Sequence, residues 1–459
     1  MSEPVSQMFV STQHKCLLLT AACSLAVKMA SGQSTYDPST VLARTRDKVV
    51  GLEERLPRYT CRQTVNRTYF RSTIKPRSGT SCDQFAGDNK LGRRRLQIEA
   101  TDRLRLDVIV TGGQEVFSWA GASHFDSRWI AEIIGEGPVG TGAFGTFLFD
   151  IFRNDGVNFE FVTTARLRDK VMLQYAYQVP EEASHYYTRR TDKKWSTTAF
   201  SGSLWVNPET DELERLTVLT SELPPETGAC TAETRVDYQT VRLGTGGFLL
   251  ALESELHFLL RDGTESTSIS TYEGCREYAA ESSLSVGEPP IAAQPRIVAT
   301  SSPPVSIPNG VPVTLALVTP INTDTAAAGD VIAAKVKRSV LDPKSQRNLI
   351  SAGAIVQGRI VRLEHRFLPT PHFLISISWA TIADHNAVAP FFARIAQADS
   401  GHPNGQAYFQ NGRLRIWLPP PGESQRAGGW FILPTQKKTY VVQPGYETEW
   451  LTATAPEFK

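Results

Sequence analysis

Short segments in which apolar and polar residues alternate recur along this chain, and they constrain its fold more than any other feature. The alternation is regular over residues 104–110, where Thr111-Gly112-Gly113 then turns the chain back into residues 115–119. Because successive side chains of a strand point to opposite faces, such segments are half buried, and strands joined by short turns pair in antiparallel fashion. The sequence therefore predicts a mainly β protein.

Further strands of this kind occupy most of the first half of the chain, and one hairpin turns at Asn207-Pro208. They are predicted at residues 59–69, 171–179, 203–218, 233–243, 248–260 and 265–272. A first helix is predicted from the Asp37-Pro38 cap to Pro57, with an apolar stripe at three-to-four spacing. Two further apolar stripes, at residues 129–134 and 144–152, predict core helices that cover the sheet, rather than the walls of a ligand cavity.

A proline-rich stretch with few large apolar side chains begins at Gly287 and predicts an interdomain linker. The chain after it is dense in short β segments, which predicts an all-β barrel or sandwich. The expected organisation is therefore a signal peptide (1–32), an α+β domain with an antiparallel half-barrel-like sheet (37–286), a linker (287–309) and a small β domain (310–459).

The apolar run at residues 16–27 has the length of a signal-peptide core and is too short to cross a bilayer. Ala30-Ser31-Gly32 supplies the small residues of a cleavage site, so Gln33 is the expected mature start. A lipid anchor on Cys23 is the weaker alternative, because the nearby leucine lies one place too far upstream. These features predict an exported protein of the periplasm or cell envelope, without a transmembrane span in the mature chain.

Four cysteines follow the predicted leader: Cys61, Cys82, Cys230 and Cys275. An even number in an exported chain predicts two disulfides, for which three pairings are possible. The pairing local in sequence joins Cys61 to Cys82 and Cys230 to Cys275. No metal-ligand spacing is present around these residues, so disulfides are favoured over a metal site.

No recognisable catalytic or cofactor motif accompanies this framework. The formal net charge of +1 provides no global basic field for nucleic acid. There is no nucleophile elbow, no phosphate loop and no histidine pair at metal-binding spacing, and the glycine-rich segment 137–145 is interpreted as a hinge between two helices. The basic run Gly92-Arg93-Arg94-Arg95 could contact anionic lipid or polysaccharide, but charges on a solvated edge strand are the favoured interpretation. No catalytic, metal or cofactor residue is predicted.

The first domain resembles known proteins at two levels. One helix followed by hairpins, with Asn207-Pro208-Glu209-Thr210 between two strands, resembles the half-barrel of periplasmic lipoprotein carriers. Four segments resemble those of a family of predicted exported bacterial proteins that has no assigned activity. They are Leu56-Pro57-Arg58-Tyr59-Thr60-Cys61, Arg103-Leu104-Arg105-Leu106-Asp107-Val108, Gly142-Ala143-Phe144-Gly145 and Cys275-Arg276-Glu277-Tyr278.

The second domain resembles the β-barrel domain of the outer-membrane core component of conjugation-type secretion machines. The matching segments begin at Gly310, Ile321, Ala326-Ala327-Ala328-Gly329-Asp330 and Ile350, and Ser351 stands where that family has proline. The resemblance implies a barrel-like domain.

Three functions are compatible with the sequence. The favoured one is a non-catalytic exported envelope protein that acts as an interaction or scaffold module. The alternative is a periplasmic carrier of a lipid or another apolar ligand in the half-barrel, and the third is an enzyme whose residues converge only in three dimensions. A large apolar cavity would favour the carrier, whereas a filled core would favour the interaction module.

Overall fold

A computed structural model describes most of the chain between Tyr36 and Thr454. The described residues are 36–73, 79–122, 125, 130–134, 137–189, 192, 194–220, 223–278, 307–368, 370–385, 387–398, 406–410, 413–417, 429–435 and 437–454. The predicted signal peptide and almost all of the predicted linker therefore lie outside the described residues. No helix in the part described is long and apolar enough to cross a membrane.

The described residues of the first half of the chain form four α-helices and twelve strands. The helices are α1 (Pro38–Arg55), α2 (Cys82–Lys90), α3 (Ile130–Ile134) and α4 (Thr146–Phe152). The strands are β1 (Tyr59–Ser72), β2 (Leu96–Thr111), β3 (Gln114–Trp119), β4 (Asn158–Leu167), β5 (Lys170–Val179), β6 (Tyr187–Arg189), β7 (Trp195–Thr197), β8 (Phe200–Asn207), β9 (Glu212–Thr220), β10 (Ala229–Leu243), β11 (Gly246–Leu260) and β12 (Glu265–Glu277).

Ten of these strands form one antiparallel sheet in the order β3-β2-β1-β12-β11-β10-β9-β8-β5-β4. The short strands β6 and β7 form a separate hairpin. In β1 the alternation expected from the sequence is present, because Tyr59, Cys61 and Val65 are buried while Arg62 and Asn66 are exposed. This buried face receives the helices, so the prediction of a mainly β chain with a few packed helices is confirmed.

The helices lie where the apolar stripes predicted them, except for α2. Helix α1 ends at Arg55, two residues before Pro57, and α4 buries Phe147, Leu148, Ile151 and Phe152. No apolar stripe predicted helix α2. Its capping box is formed by Ser81 and Gln84, whose side chain and backbone exchange hydrogen bonds of 3.1 and 3.2 Å.

Fourteen further strands follow in the described part of the second half of the chain. They are β13 (Pro312–Leu317), β14 (Ile321–Asn322), β15 (Val331–Val336), β16 (Val340–Leu341), β17 (Asn348–Ile350), β18 (Ile355–Arg366), β19 (His372–Asp384), β20 (Ala387–Pro390), β21 (Ala393–Ala398), β22 (Gln406–Gln410), β23 (Arg413–Trp417), β24 (Gly429–Pro434), β25 (Val441–Val442) and β26 (Glu447–Thr452). Seven of them pair in the order β24-β19-β18-β15-β13-β26-β21, around a core that includes Trp379 and Trp450 with ring centroids 5.6 Å apart.

Strand β2 connects the two halves of the chain. The end of β18 pairs with β2 so that Glu364 lies opposite Asp102. Beside it, the Arg105 amide donates to the Ala328 carbonyl (2.7 Å) and the Ala328 amide donates to the Arg103 carbonyl (2.9 Å). The Ala326–Asp330 segment, which carried the resemblance to secretion proteins, is thus bonded to the edge of the first sheet. A Cβ atom at Gly329, where φ is +110°, would lie 2.1 Å from the Arg105 carbonyl oxygen, so glycine is needed for this approach.

The structure pairs the cysteines differently from the arrangement that is local in sequence. Cys61 is bonded to Cys275 and Cys82 to Cys230, across 214 and 148 residues of chain. The local pairing is wrong because β1 is the direct neighbour of β12, which places Cys61 beside Cys275. Helix α2 lies over the beginning of β10, where Cys230 is found.

Candidate functional site

An apolar cleft opens between the C-terminal half of α1, the first turn of α4 and the beginning of β11. Its lining consists of seven apolar side chains and no charged ones: Val49, Leu52, Leu56, Phe144, Leu148, Phe248 and Leu249. Its cavity volume is about 20 Å³. Small-molecule sites commonly measure about 300–1,000 Å³, so the cleft as it stands is far too small to enclose such a ligand.

Helix α1 is held over the sheet by polar contacts at its exposed side. Arg44 forms two hydrogen bonds with Asp211, at 2.8 and 3.0 Å, in the turn between β8 and β9. Lys48 bonds Glu212 (3.2 Å) and the Thr210 carbonyl (3.0 Å) in the same turn. The charged side chains are a fifth to a half exposed, and ion pairs of this kind contribute about 0–1 kcal/mol each. Moving α1 away from the cleft therefore costs little in electrostatic terms.

A buried carboxylate fixes the opposite wall of the cleft. Glu115 on β3 accepts hydrogen bonds from the amides of Gly142 (2.9 and 3.0 Å) and Phe144 (3.1 Å). Burial raises the pKa of Glu115, and the two amide donors act in the opposite direction. The Phe144 ring lies edge-on to Tyr272, with centroids 4.6 Å apart. The glycine-rich segment that was interpreted as a hinge is thus attached to the sheet at this turn.

One buried carboxylate pairs with a histidine elsewhere in the first half. Asp150 on α4 accepts from the His185 amide (2.8 Å) and lies 2.6 Å from its Nδ1. Burial raises the pKa of Asp150, and both contacts with His185 oppose that effect. The pair connects α4 to the segment before β6, outside the cleft. No group of three or more histidine, cysteine, aspartate and glutamate residues suitable for a metal ion occurs in the described ranges.

The basic run before β2 is not an edge strand. Arg94 is buried, forms an ion pair with Glu265, donates to the Gly263 carbonyl and lies over the Phe85 ring at 5.1 Å. The interpretation of these arginines as solvated charges on an edge strand is therefore wrong for Arg94. The local sequence does not show that Arg94 pairs with Glu265 or that it packs against a helix. Arg93 and Arg95 are exposed.

Glu265 also binds His257, and this pair predicts a pH-dependent contribution to stability. The hydrogen bond to Glu265 (2.8 Å) raises the pKa of His257 above its ordinary value of 6.5, against the effect of partial burial. The contribution is complete below about pH 6.5 and is lost as the pH rises through the higher pKa of the folded state. We expect about 0.5–1 kcal/mol, since His257 is a third exposed and the pair is screened.

Urea unfolding at several pH values between about 5.5 and 8.5 measures this contribution. The matched control is His257→Gln, which keeps a polar side chain at the same position of β11 and does not titrate. The wild type should lose more stability than this variant as the pH rises. Parallel pH profiles for the two proteins would contradict the assignment.

Comparison with known proteins gives two structural likenesses. No protein-family model matches the chain, and no curated protein matches it. A LolA superfamily protein from Nitrosomonas europaea is 10% identical, covers 53% of this chain and 94% of its own, and has a TM-score of 0.25. A DUF1329 family protein from Desulfovibrio piger is 9% identical, covers 54% and 95%, and has a TM-score of 0.24. Likenesses of this degree assign neither a ligand nor an activity to the chain.

The sequence signals for this site were partial. The apolar stripes of α1 and α4 were identified in the sequence. That both stripes line one cleft together with the beginning of β11 was not predicted. Glu115 carried no local signal, because its role depends on a turn that begins 27 residues later. The capping box at Ser81 is a local signal from which α2 could have been predicted.

Proposed function

We propose that this protein is an exported binding protein for an apolar ligand with a slender hydrocarbon part, held in the cleft beneath α1. The observation that carries the proposal is the lining of the cleft, in which seven apolar side chains from three elements converge without a charged group. Val49, Phe144 and Leu148 are buried, and the other four lining side chains are half-buried. A ligand that covers their remaining apolar surface gains roughly 25 cal/mol for each Å².

Helix α1 serves as the movable wall in this proposal. Its contacts with the β8–β9 turn are exposed ion pairs, whereas Glu115 holds the wall formed by Phe144. A ligand larger than the present cleft requires displacement of α1, and part of the binding free energy then offsets the loss of the two ion pairs and the exposure of Val41 and Val49, which α1 buries.

Two features support export. The sequence begins with a leader-like segment, and two disulfides are typical of proteins that fold in an oxidising compartment. The carrier hypothesis and the localisation are thus compatible with each other.

Binding of a fluorescent fatty acid, 11-(dansylamino)undecanoic acid, tests the proposal on the full chain. The variant Leu52→Trp fills the cleft from the α1 side and should weaken binding about tenfold or more, because an apolar contact worth 1.5–3 kcal/mol is replaced by a clash. The control is Leu219→Trp, at a half-exposed position of β9 that does not line the cleft. Equal affinity of both variants and the wild type would reject the cleft as the binding site.

The second candidate is a non-catalytic interaction module, and the filled interior favours it. Side chains of α4 already occupy the face of the sheet that would enclose a ligand, with Ile151 and Phe152 fully buried. Native mass spectrometry with lipid extraction, on protein purified from its own envelope, separates the two candidates. A lipid that co-purifies at near one-to-one ratio supports the carrier, whereas a clean apo mass supports the interaction module.

A further inference from the structure

A buried polar cluster lies on the inner face of the sheet, behind one wall of the apolar cleft. It consists of Gln63 on β1, Ser270 and Tyr272 on β12 and Ser254 on β11, each at most 6% exposed. Gln63 Nε2 donates to Ser270 Oγ (3.1 Å), and the hydroxyls of Ser254 and Tyr272 are 2.9 Å apart. The pairing of β1 with β12 and of β12 with β11 brings these residues together.

One polar atom of this cluster has no hydrogen-bond partner among the residues that the structure describes. Gln63 Oε1 is buried and accepts no hydrogen bond. Exchanging the oxygen and the nitrogen of this amide would give the oxygen a donor in Ser270 but would leave the nitrogen without an acceptor. A buried polar group without a partner lowers stability and needs an explanation. In either orientation of the amide, the cluster can form one more hydrogen bond.

The Phe144 ring separates the cluster from the cleft. It lines the cleft on one side and lies edge-on to Tyr272 on the other, with ring centroids 4.6 Å apart. The small residues Ala143 and Gly145 flank it in the chain, and its backbone amide is held by Glu115. Rotation of this one side chain, with the backbone in place, would connect the cleft with the cluster.

The surroundings of the cluster select a neutral polar group. Burial raises the pKa of Tyr272, and the negative charge of Glu115 adds to this effect. A ligand carboxylate in this place would lie near Glu115, and no cationic side chain in the described ranges bonds to the cluster to neutralise it. A hydroxyl group carries no charge. It both donates and accepts, so it fits Gln63 in either orientation of the amide.

We propose that the polar end of the cleft ligand is a hydroxyl group, which passes behind the Phe144 ring and hydrogen-bonds to Gln63 while the hydrocarbon part lies in the cleft. The ligand class is thus a neutral long-chain alcohol or a lipid with a free hydroxyl group, and not a free fatty acid. This inference rests on the proposed binding of an apolar ligand in the cleft and adds the chemistry of its polar end. The ligand supplies the partner that the buried amide lacks.

Displacement of the fluorescent fatty acid from the full chain tests the inference. Decan-1-ol and decanoate have the same chain length and differ only in their polar end, and decan-1-ol should displace the probe at the lower concentration. The readout is the ratio of the two displacing concentrations, compared between variants, because the lower water solubility of the alcohol contributes equally in each. In Gln63→Leu, which removes the acceptor, this ratio should shift about tenfold towards decanoate.

Gln174→Leu is the matched control. Gln174 on β5 also bonds to a serine of the neighbouring strand, Ser203 (3.4 Å), but it does not line the cleft. This variant should keep the wild-type ratio. Urea unfolding gives a second readout, because Gln63→Leu removes an unsatisfied buried amide and should not lower the midpoint.

The outcomes separate this inference from the proposed function. Failure of the wild type to bind the fluorescent fatty acid rejects the cleft as a binding site. Binding of the probe with an unchanged ratio in Gln63→Leu overturns the hydroxyl inference alone. An equal loss of affinity for both competitors, or a lower urea midpoint in this variant, also overturns it, because each is the effect of a purely structural role.

Discussion

Replacing Arg67 by methionine should lower the free energy of unfolding by roughly 3–5 kcal/mol, the cost of leaving a buried charge without its partner. Arg67 on β1 and Asp102 on β2 form two parallel hydrogen bonds of 2.7 and 2.6 Å, and both side chains are 4% exposed. Burial raises the pKa of Asp102 although the bonds from Arg67 lower it. Without the guanidinium, the carboxylate either remains charged and desolvated or takes up a proton.

A nearly identical pair on the same two strands provides the control. Arg62 and Asp107 lie 3.1 Å apart, also between β1 and β2, but their side chains are 44% and 21% exposed. Arg62→Met should therefore cost less than about 1 kcal/mol in urea unfolding. The double variant Arg67→Met/Asp102→Leu should recover much of the loss, because no unpaired charge is left behind. Equal losses from Arg67→Met and Arg62→Met would contradict this account.

The position of Asp102 explains why this pair matters for the whole chain. Glu364 lies directly opposite it across the β2–β18 pairing, and two carboxylates in that arrangement repel each other. Each has its own arginine partners, since Glu364 pairs with Arg362 and Arg366. The pairing of β2 with β18 thus places two carboxylates opposite each other. Arg67 neutralises Asp102, and Arg362 and Arg366 neutralise Glu364.

Much of this fold could be predicted from local patterns. The alternation in β1 and β2, the stripe of α1 and the turn at Asn207 each act within about ten residues, and each predicted the element that is found. What these patterns could not provide is which strands become neighbours. Pairing between β1 and β12, or between β2 and β18, depends on packing across more than 200 residues, and local sequence carries no record of it.

The same limit applies to the candidate sites. The cleft depends on three elements that are far apart in the chain, and apolar stripes are equally typical of ordinary core helices. Arg94 illustrates the converse, because a residue that looked exposed in the sequence is buried against Glu265.

Removal of either disulfide should cost about 2–5 kcal/mol, because each closes a loop of more than a hundred residues in the unfolded chain. The two losses should differ in where they act. Cys61 and Cys275 connect strands that already exchange backbone hydrogen bonds along β1 and β12, so Cys61→Ser/Cys275→Ser should lower global stability and leave the local structure intact.

The Cys82→Ser/Cys230→Ser variant should act on α2 in particular. A nine-residue helix is marginal in isolation, and without the disulfide α2 depends on the burial of Phe85 and on the Asn89 and Arg94 bonds to Glu265. Hydrogen exchange should therefore show lost protection over residues 82–95 in this variant, while β1 and β12 stay protected. Non-reducing peptide mapping of the wild type should find the two long-range bonds. A map that joined Cys61 to Cys82 would refute the pairing. Equal loss of α2 protection in both variants would refute the assignment of a global effect to the Cys61–Cys275 bond and a local effect to the Cys82–Cys230 bond.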